Sequence, residues 1–403
     1  MGGHAERSHS TLSPSNAYQW MACIPSVILG SQFPDTSSKA AEEGTLAHEL
    51  AELKLRNYFY TTEFGKRKMN AEIKKLRGNE IWADEMMGYT DDYLDYVKSV
   101  ALNFAVSPHV DIERRVDLRT YIPNLPDEAP ASGSADCILV GGGVIHVIDF
   151  KYGKSPDGRV DADHNPQMML YALGAYEAYR ILYEIHTVRM SIVQPRLPDG
   201  ISEWECSLED LLKFGEVVKD RAALAIQGVG DFVPGPKTCR YCRARGRCRA
   251  RAEKNVELAF KVKDDPALLT FEEMGKYLKD GQDVAKWLKD IEASALEACL
   301  SGKEIPGWKA VAGRATRDWT DMDAAFARLE EAGIRTEVLW ERKPLTLAQV
   351  EKIIGKKEFA ANVGEFVTKK NGKPALVEDS DKRPAITNKI SAAEAFKEET
   401  DHE

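Results

Sequence analysis

The chain has 403 residues, 43% apolar and 30% charged, long enough for two or three domains and ordinary in composition for a globular protein. No run reaches the roughly 18 apolar residues of a membrane span, and Met1 to Ser10 is polar, so neither a membrane segment nor a secretory leader is expected and a cytoplasmic location follows. A net charge of −9 excludes nucleic-acid binding by the whole surface; any such path must be a local basic patch.

In chain order, Thr11 to Pro25 reads as a cap and a short amphipathic helix that stops before Pro25, with Cys23 near its end. After a Ser- and Pro-rich loop, a helix is predicted to start at Gly44, with Thr45 as its cap, and to run through Leu53. His48 and Glu52 are four apart on it and share a face, with Glu49 alongside; taken alone they are solvated groups of an amphipathic helix. From Lys66 to Phe104 apolar residues such as Ile73, Leu76, Met86, Tyr93 and Val97 recur at helical intervals, which predicts a helical insertion over about 66–104, packed on the core. A strand follows from Val110 to Leu118, alternating as far as Val116. Its Glu113 either adds a carboxylate to a site or pairs with an arginine across the sheet.

The stretch from Gly133 to Tyr171 carries the chemistry. Two apolar runs, Cys137 to Val140 and Val144 to Ile148, flank three glycines, the signature of a hairpin. Asp149 and Lys151 lie two apart and face one side of their strand, and Asp136 at the start of the partner strand reaches that side at the open end. Two carboxylates beside a lysine form a site for a hard divalent cation next to a fixed positive charge, the equipment for attacking a phosphodiester. Gln167 and Tyr171, one helical turn apart, project together from the following helix. Strands at 188–194 and 202–206 and a helix from Leu208 to Gln227 complete an α-β-β-β-α-β order, an α/β layer.

At these positions, Gly133-x-x-Asp136, twelve intervening residues, Asp149-x-Lys151 and Gln167-x-x-x-Tyr171, the chain resembles the RecB-type branch of the PD-(D/E)XK nucleases. The resemblance implies a restriction-endonuclease-like core, a mixed central sheet flanked by helices. It also implies a metal site made by Asp136, Asp149, the carbonyl of Phe150 and His48, the last from a Gly44-x-x-x-His48 helix, with Glu52 and Glu113 as supporting candidates. Gln167 and Tyr171 would position the lysine and the DNA backbone. With a histidine in the ligand set, Mn²⁺ serves as well as Mg²⁺.

Cys239, Cys242 and Cys248 stand in a chain of only seven cysteines, an odd number that does not suggest a disulfide framework. Three close thiolates imply a metal or cluster, and no histidine follows nearby to complete a zinc site. The C-x-x-C-x5-C spacing with a single upstream cysteine resembles AddB-like nucleases, which implies a 4Fe–4S cluster on Cys23, Cys239, Cys242 and Cys248, with Zn²⁺ as the alternative. Cys137, Cys206 and Cys299 read as small core residues. Six arginines interleave with the three later cysteines; Arg240, Arg243, Arg245 and Arg247 are the candidate phosphate track for DNA.

Beyond this, a helix is predicted from Thr270 to Leu300, with Met274, Leu278, Val284, Trp287, Leu288 and Ile291 near one face. A strand with a basic tip at Arg314 and Arg317 is predicted over Trp308 to Trp319. Helices follow, capped by Thr320 and Thr346 and ending at Gly333 and Gly355, with a third to about Thr368. The domains are therefore 1–260, a nuclease domain; 261–377, a mostly helical C-terminal domain; and 378–403, a mobile tail. This layout is similar to a phage-associated family with a RecB-type front half, which places the chain in a host cytoplasm.

The resemblance implies a metal-dependent deoxyribonuclease, an exonuclease on DNA ends or single strands in phage replication or recombination. A DNA-binding scaffold on a nuclease fold and an RNA-directed nuclease are the competing readings. Gly153-Lys154-Ser155 lacks the earlier glycine of a phosphate loop, since Ile148 stands there, so a helicase or recombination partner would be a separate protein, with single- or double-stranded DNA as the ligand and no membrane.

Overall fold

A computed structural model of the chain describes residues 12–34, 38–122, 131–260, 270–311, 321–332, 334, 335, 339 and 346–367. Contacts divide the chain into two compact units, Met1–Val311 and Ala312–Glu403.

The first unit is built on a five-stranded sheet of β1 (His109–Asp117), β2 (Ser132–Gly141), β3 (Val144–Phe150), β4 (Thr187–Val193) and β5 (Ile201–Ser207), in the spatial order β1-β2-β3-β4-β5. All neighbours are antiparallel except β3 and β4. That parallel pair requires a crossover, supplied by α6 (Pro166–Tyr179). The sheet is thus mixed and flanked by helices, the α/β core expected from the sequence. The β2–β3 hairpin closes at the Gly141–Val144 pair; Gly142 and Gly143 have φ of 56° and 82°, and a two-residue turn with both centres left-handed is the connection that follows strand twist.

Two apolar layers cover the sheet. On one face α6, α7 (Leu208–Gln227) and the short N-terminal helices α1 (Ala17–Ala22) and α2 (Ser26–Ser31) build a core around Trp20, Ile138, Met168 and Leu173. On the other, α3 (Lys39–Phe59), α4 (Lys66–Leu76) and α5 (Glu85–Leu102) bury Leu50, Met86, Tyr93, Ile148 and Phe150. The predicted helical insertion is therefore the second layer itself, and Tyr93 and Tyr96 reach from α5 to Ile148 and Ser191 of the sheet.

β1 does not keep one face toward one layer. Val110 and Ile112 pack into the α3–α5 layer, whereas Val116 packs into the α6 layer. The register to β2 is unbroken on both sides of the change, with Ile112 opposite Cys137 and Arg114 opposite Ala135. The reversal occurs at Glu113, which takes φ of 52°, so the uniform alternation expected to Val116 fails at that residue.

Several expected boundaries shift. The helix carrying His48 begins at Lys39, with Ser38 accepting the Ala41 N–H; Thr45 lies inside it and donates its hydroxyl to Ala41 O, so it is not a cap. A helix not read from the sequence, α8 (Arg249–Phe260), packs on α9 (Phe271–Leu300) through buried Arg251, which ion-pairs with Asp283 at 3.2 Å and Asp290 at 2.6 Å. The boundary expected after residue 260 lies inside this first unit. The apolar stripe of α9 also divides: Val284, Trp287 and Ile291 are half-buried, whereas Met274, Leu278 and Leu288 are exposed.

Near residue 308 the structure has one isolated bridge, Ile305–Trp308, in place of the start of a strand, and the rest of that prediction, with Arg314 and Arg317, lies outside the described residues. In the second unit α10 (Met322–Glu331) is capped by Asp321 in place of Thr320, because the Asp321 carboxylate accepts the Ala324 N–H at 2.9 Å. Thr346 caps α11 (Leu347–Ile354) in a reciprocal box with Gln349, and α12 (Lys356–Val363) packs on α11. The predicted tail at 378–403 lies outside the described residues. Among the described residues no helix is long and apolar enough to cross a membrane.

Candidate metal centre

The end of β3 carries Asp149 and Lys151 to one side, with Lys151 Nζ 3.2 Å from Asp149 Oδ2. That oxygen is buried and makes no well-directed hydrogen bond, so the ammonium's charge is all it has. Asp136, from the adjacent β2, is anchored on two sides. Its Oδ2 accepts the Phe150 N–H at 2.7 Å, and its Oδ1 lies 3.3 Å from His48 Nδ1. His48 comes from α3, whose packed face holds the imidazole edge-on to the Phe150 ring at 5.2 Å; Tyr93 stacks on that ring from α5 at 4.8 Å.

Glu113 is the third member of this group. One ligand atom each of His48, Glu113 and Asp136 lie within 4.8 Å of one another. Glu113 falls between the Ile112–Cys137 and Arg114–Ala135 pairs, level with Asp136 on the neighbouring strand, and takes a left-handed backbone there. Such a conformation is uncommon for a residue with a Cβ and clusters at functional sites.

α6 supplies the remaining contacts. Its start is fixed by Asn165, whose side chain accepts the N–H groups of Gln167 and Met168, with Pro166 at the first helical position. Gln167 is then aimed inward: Oε1 accepts from Lys151 Nζ, and Nε2 donates to Asp149 Oδ1 and to Tyr171 Oη, each at 3.3 Å. A Cβ on Gly133 would sit 2.6 Å from Pro14 Cγ and 2.9 Å from Tyr171 Cε1, so the glycine of the Gly133-x-x-Asp136 pattern makes room for the tyrosine ring.

Charge is unevenly held here. Burial pushes the Asp149 carboxyl up to about 6, against the pull of Lys151. Burial opposes ionisation of Asp136 as well, yet His48, the Phe150 N–H and Lys151 together hold its carboxyl below the usual range. Lys151 and His48 are both disfavoured as cations by burial and more than restored by the aspartates, so each is raised. An imidazole and carboxylates converging beside a buried carboxylate oxygen that has an ion-pair partner but no hydrogen bond are the donor set that a divalent cation takes. Glu52 ion-pairs with Arg56 at 2.8 Å and is not in the converging group.

The four sequence-selected cysteines come from both ends of the first unit. Cys23, Cys239 and Cys242 are buried and Cys248 is half-buried. Cys23 Sγ accepts the Val233 N–H at 3.4 Å, and Cys239 Sγ accepts the Gly235 N–H at 3.4 Å. Among the described residues no three of these thiols lie mutually within 4.8 Å. Burial pushes the Cys242 thiol up to about 11. Cys137 is fully buried, Cys206 and Cys299 half-buried.

Arg240, Arg243, Arg245 and Arg247 are all exposed on this loop. Arg245 pairs with Asp290 at 3.0 Å, and Arg247 lies over the Phe33 ring at 5.4 Å. The sequence reading missed Arg196. Its buried guanidinium ion-pairs with Glu43 and Glu85 and stacks 4.4 Å from the Tyr152 ring, bracing the α3–α5 layer against the residue after Lys151. A lone arginine just past a strand gave no signal for this, because both partners come from distant helices.

Two crystal structures are similar to this chain. SSO0001 has 18% identity and a TM-score of 0.26, over 50% of this chain and 85% of that one. The "Putative exonuclease" from Eubacterium rectale has 12% identity and a TM-score of 0.30, over 68% of this chain and 98% of that one. The converging His48–Glu113–Asp136 group, the α6 contacts and the cysteine loop all fall within residues 9–384, the span matched by the family described as "Protein of unknown function (DUF2800)", and the chain belongs to that family.

Proposed function

We propose that the chain is a divalent-metal-dependent nuclease that hydrolyses DNA. The observation that carries this is the convergence of His48, Glu113 and Asp136 beside the Asp149–Lys151 pair. These carboxylates and the imidazole would hold Mg²⁺ or Mn²⁺, with Asp149 as the neighbouring ligand once its proton is displaced. When bound, the cation supplies neutralisation of the scissile phosphate and a lowered pKa for water. Lys151, kept cationic by Asp149 and Asp136, stabilises the charge that builds on the phosphoryl group and orients the attacking water. Gln167 fixes the lysine from one side and Asp149 from the other, and Tyr171 fixes Gln167. The exposed arginines of the cysteine loop are the phosphate contacts that a chain of net charge −9 needs locally.

The test is incubation of the purified protein and its Lys151→Ala variant with labelled single- and double-stranded DNA, with and without Mn²⁺. Cleavage that needs Mn²⁺ and falls about 100-fold or more in the variant is expected; equal cleavage by both proteins removes the assignment.

The second part of the proposal is a 4Fe–4S cluster on Cys23, Cys239, Cys242 and Cys248. What supports it is the C-x-x-C-x5-C spacing with one upstream cysteine, and the burial of Cys23, Cys239 and Cys242. Anaerobically purified protein should contain iron and absorb broadly toward the violet; stoichiometric zinc without iron overturns this part alone. Such a group would staple α1 to the loop after α7, and a separate helicase or recombination protein would deliver the DNA.

A further inference from the structure

Tyr241 lies between Cys239 and Cys242, and its side chain has no layer to pack into: the residue is 70% exposed while both flanking thiols are buried. A solitary exposed aromatic is ordinary; the position of this one is not. Its phenol faces toward the Lys151 side of the loop. The Arg240 guanidinium stands 5.3 Å from the Tyr241 ring centroid. Arg240 Nη2 also comes within 3.4 Å of where a Cβ on Gly158 would sit, and Gly158 belongs to the connection from Lys151 to α6. The cysteine loop therefore leans over the same connection that leaves the candidate site, with an aromatic face and a guanidinium at the rim. No acidic residue occurs between Cys239 and Cys248.

We propose, on the strength of the nuclease reading, that Tyr241 is a stacking platform for an unpaired nucleobase next to the phosphodiester that Lys151 addresses, which makes single-stranded ends the substrate class of this site. Every base has a π-face, so such a platform accepts any sequence. A paired base is already stacked and must be extruded to reach the ring, at a cost of a few kcal/mol, so duplex is disfavoured. Arg240 adds a cation over the ring and a contact to the adjacent phosphate. Anchoring of the flanking Cys239, whose sulfur accepts the Gly235 N–H, holds the platform still before the strand arrives.

The test measures affinity of the full chain, with Ca²⁺ in place of a cleavage-supporting cation, for a short oligonucleotide carrying a terminal 2-aminopurine, alone and in duplex. Tyr241→Ala is expected to weaken single-strand binding about 5- to 150-fold and to abolish the stacking change in 2-aminopurine fluorescence; Tyr241→Phe stays within about twofold of the native protein, and duplex affinity barely moves. Unchanged single-strand affinity in Tyr241→Ala overturns the platform, and so does Tyr241→Phe binding as weakly as Tyr241→Ala, which would assign the effect to the hydroxyl. If stacking is lost in Tyr241→Ala but the native protein cleaves nothing with Mn²⁺, the platform stands and the catalytic reading falls. If the native protein cleaves with Mn²⁺ and Tyr241→Ala binds and cleaves single strands as it does, the catalytic reading stands and the platform falls.

Discussion

The backbone N–H of Phe150 donates to Asp136 Oδ2 at 2.7 Å, so the strand that carries one carboxylate of the site holds the other in place. Phe150 is fully buried, and Asp136→Ala would leave that N–H without an acceptor, at a cost of about 1–3 kcal/mol. Asp136→Asn keeps an acceptor oxygen and removes the charge. Urea denaturation is expected to show the alanine variant destabilised by that amount and the asparagine variant nearly native, while calorimetric titration with Mn²⁺ finds weakened binding in both. A stable alanine variant would mean that the bond carries no weight.

Glu113 is the one non-glycine strand residue in the left-handed region among those described, and such strain is of order 1–3 kcal/mol. Asparagine tolerates that conformation better. Glu113→Asn should therefore raise the melting temperature of the metal-free protein by a few degrees, as about 1 kcal/mol does in a domain of this size, and weaken Mn²⁺ binding. Unchanged Mn²⁺ affinity would take Glu113 out of the ligand group.

Asp149 gives a pH dependence with a definite sign. Its carboxyl, pushed up to about 6 from the ordinary 3.8 by burial against the pull of Lys151, favours the folded state only while protonated. That contribution is complete below about pH 4 and is lost as the pH rises through about 6. On the proposed metal reading, a cation would take the proton's place above this interval. Mn²⁺ should raise the melting temperature at pH 7.5 and barely move it at pH 5, and Asp149→Asn should flatten the metal-free profile between these values. An equal gain at both pH values would show that Asp149 is not a ligand.

Gly133 is where the site meets the packing. Gly133→Ala puts a methyl 2.6 Å from Pro14 Cγ and 2.9 Å from Tyr171 Cε1, so the proline or the ring must give way. A loss of about 1–3 kcal/mol in thermal or urea unfolding is expected, with a fall in turnover larger than the fall in DNA affinity, because Tyr171 holds Gln167. A fall in affinity alone would mean that Tyr171 does not position the lysine.

The cysteines divide by role in a way that iron analysis can read. Cys23→Ala should lose iron and the violet absorbance, whereas Cys137→Ala, in the α3–α5 core, should keep both and lose only packing. Iron retained in Cys23→Ala would exclude it as a ligand.

The hairpin was legible from the glycines at its turn; in the structure Asn165 and Pro166 fix the start of α6, and Ser207 and Gly228 the two ends of α7. The Asp149–Lys151 pair follows from strand periodicity alone. The change of face at Glu113 was not legible, since glutamate has no preference for that backbone and the two apolar layers it separates are built from distant stretches of the chain. The early start of α3 was hidden because Thr45 imitates a cap while Ser38, six residues before Gly44, makes the real one. Arg251 was counted only among the arginines of the cysteine loop and Arg196 was not singled out, because their acidic partners lie far along the chain and no window of sequence contains both.

At position 113 a carboxylate and a reversal of the strand coincide in one residue, yet the two make different demands. The reversal asks only for a backbone that tolerates the conformation, which asparagine or glycine meets, while the proposed cation would ask for the charge. A single substitution would then silence the proposed chemistry and leave the architecture standing, so inert descendants of this scaffold would be reachable without passing through a chain that fails to fold.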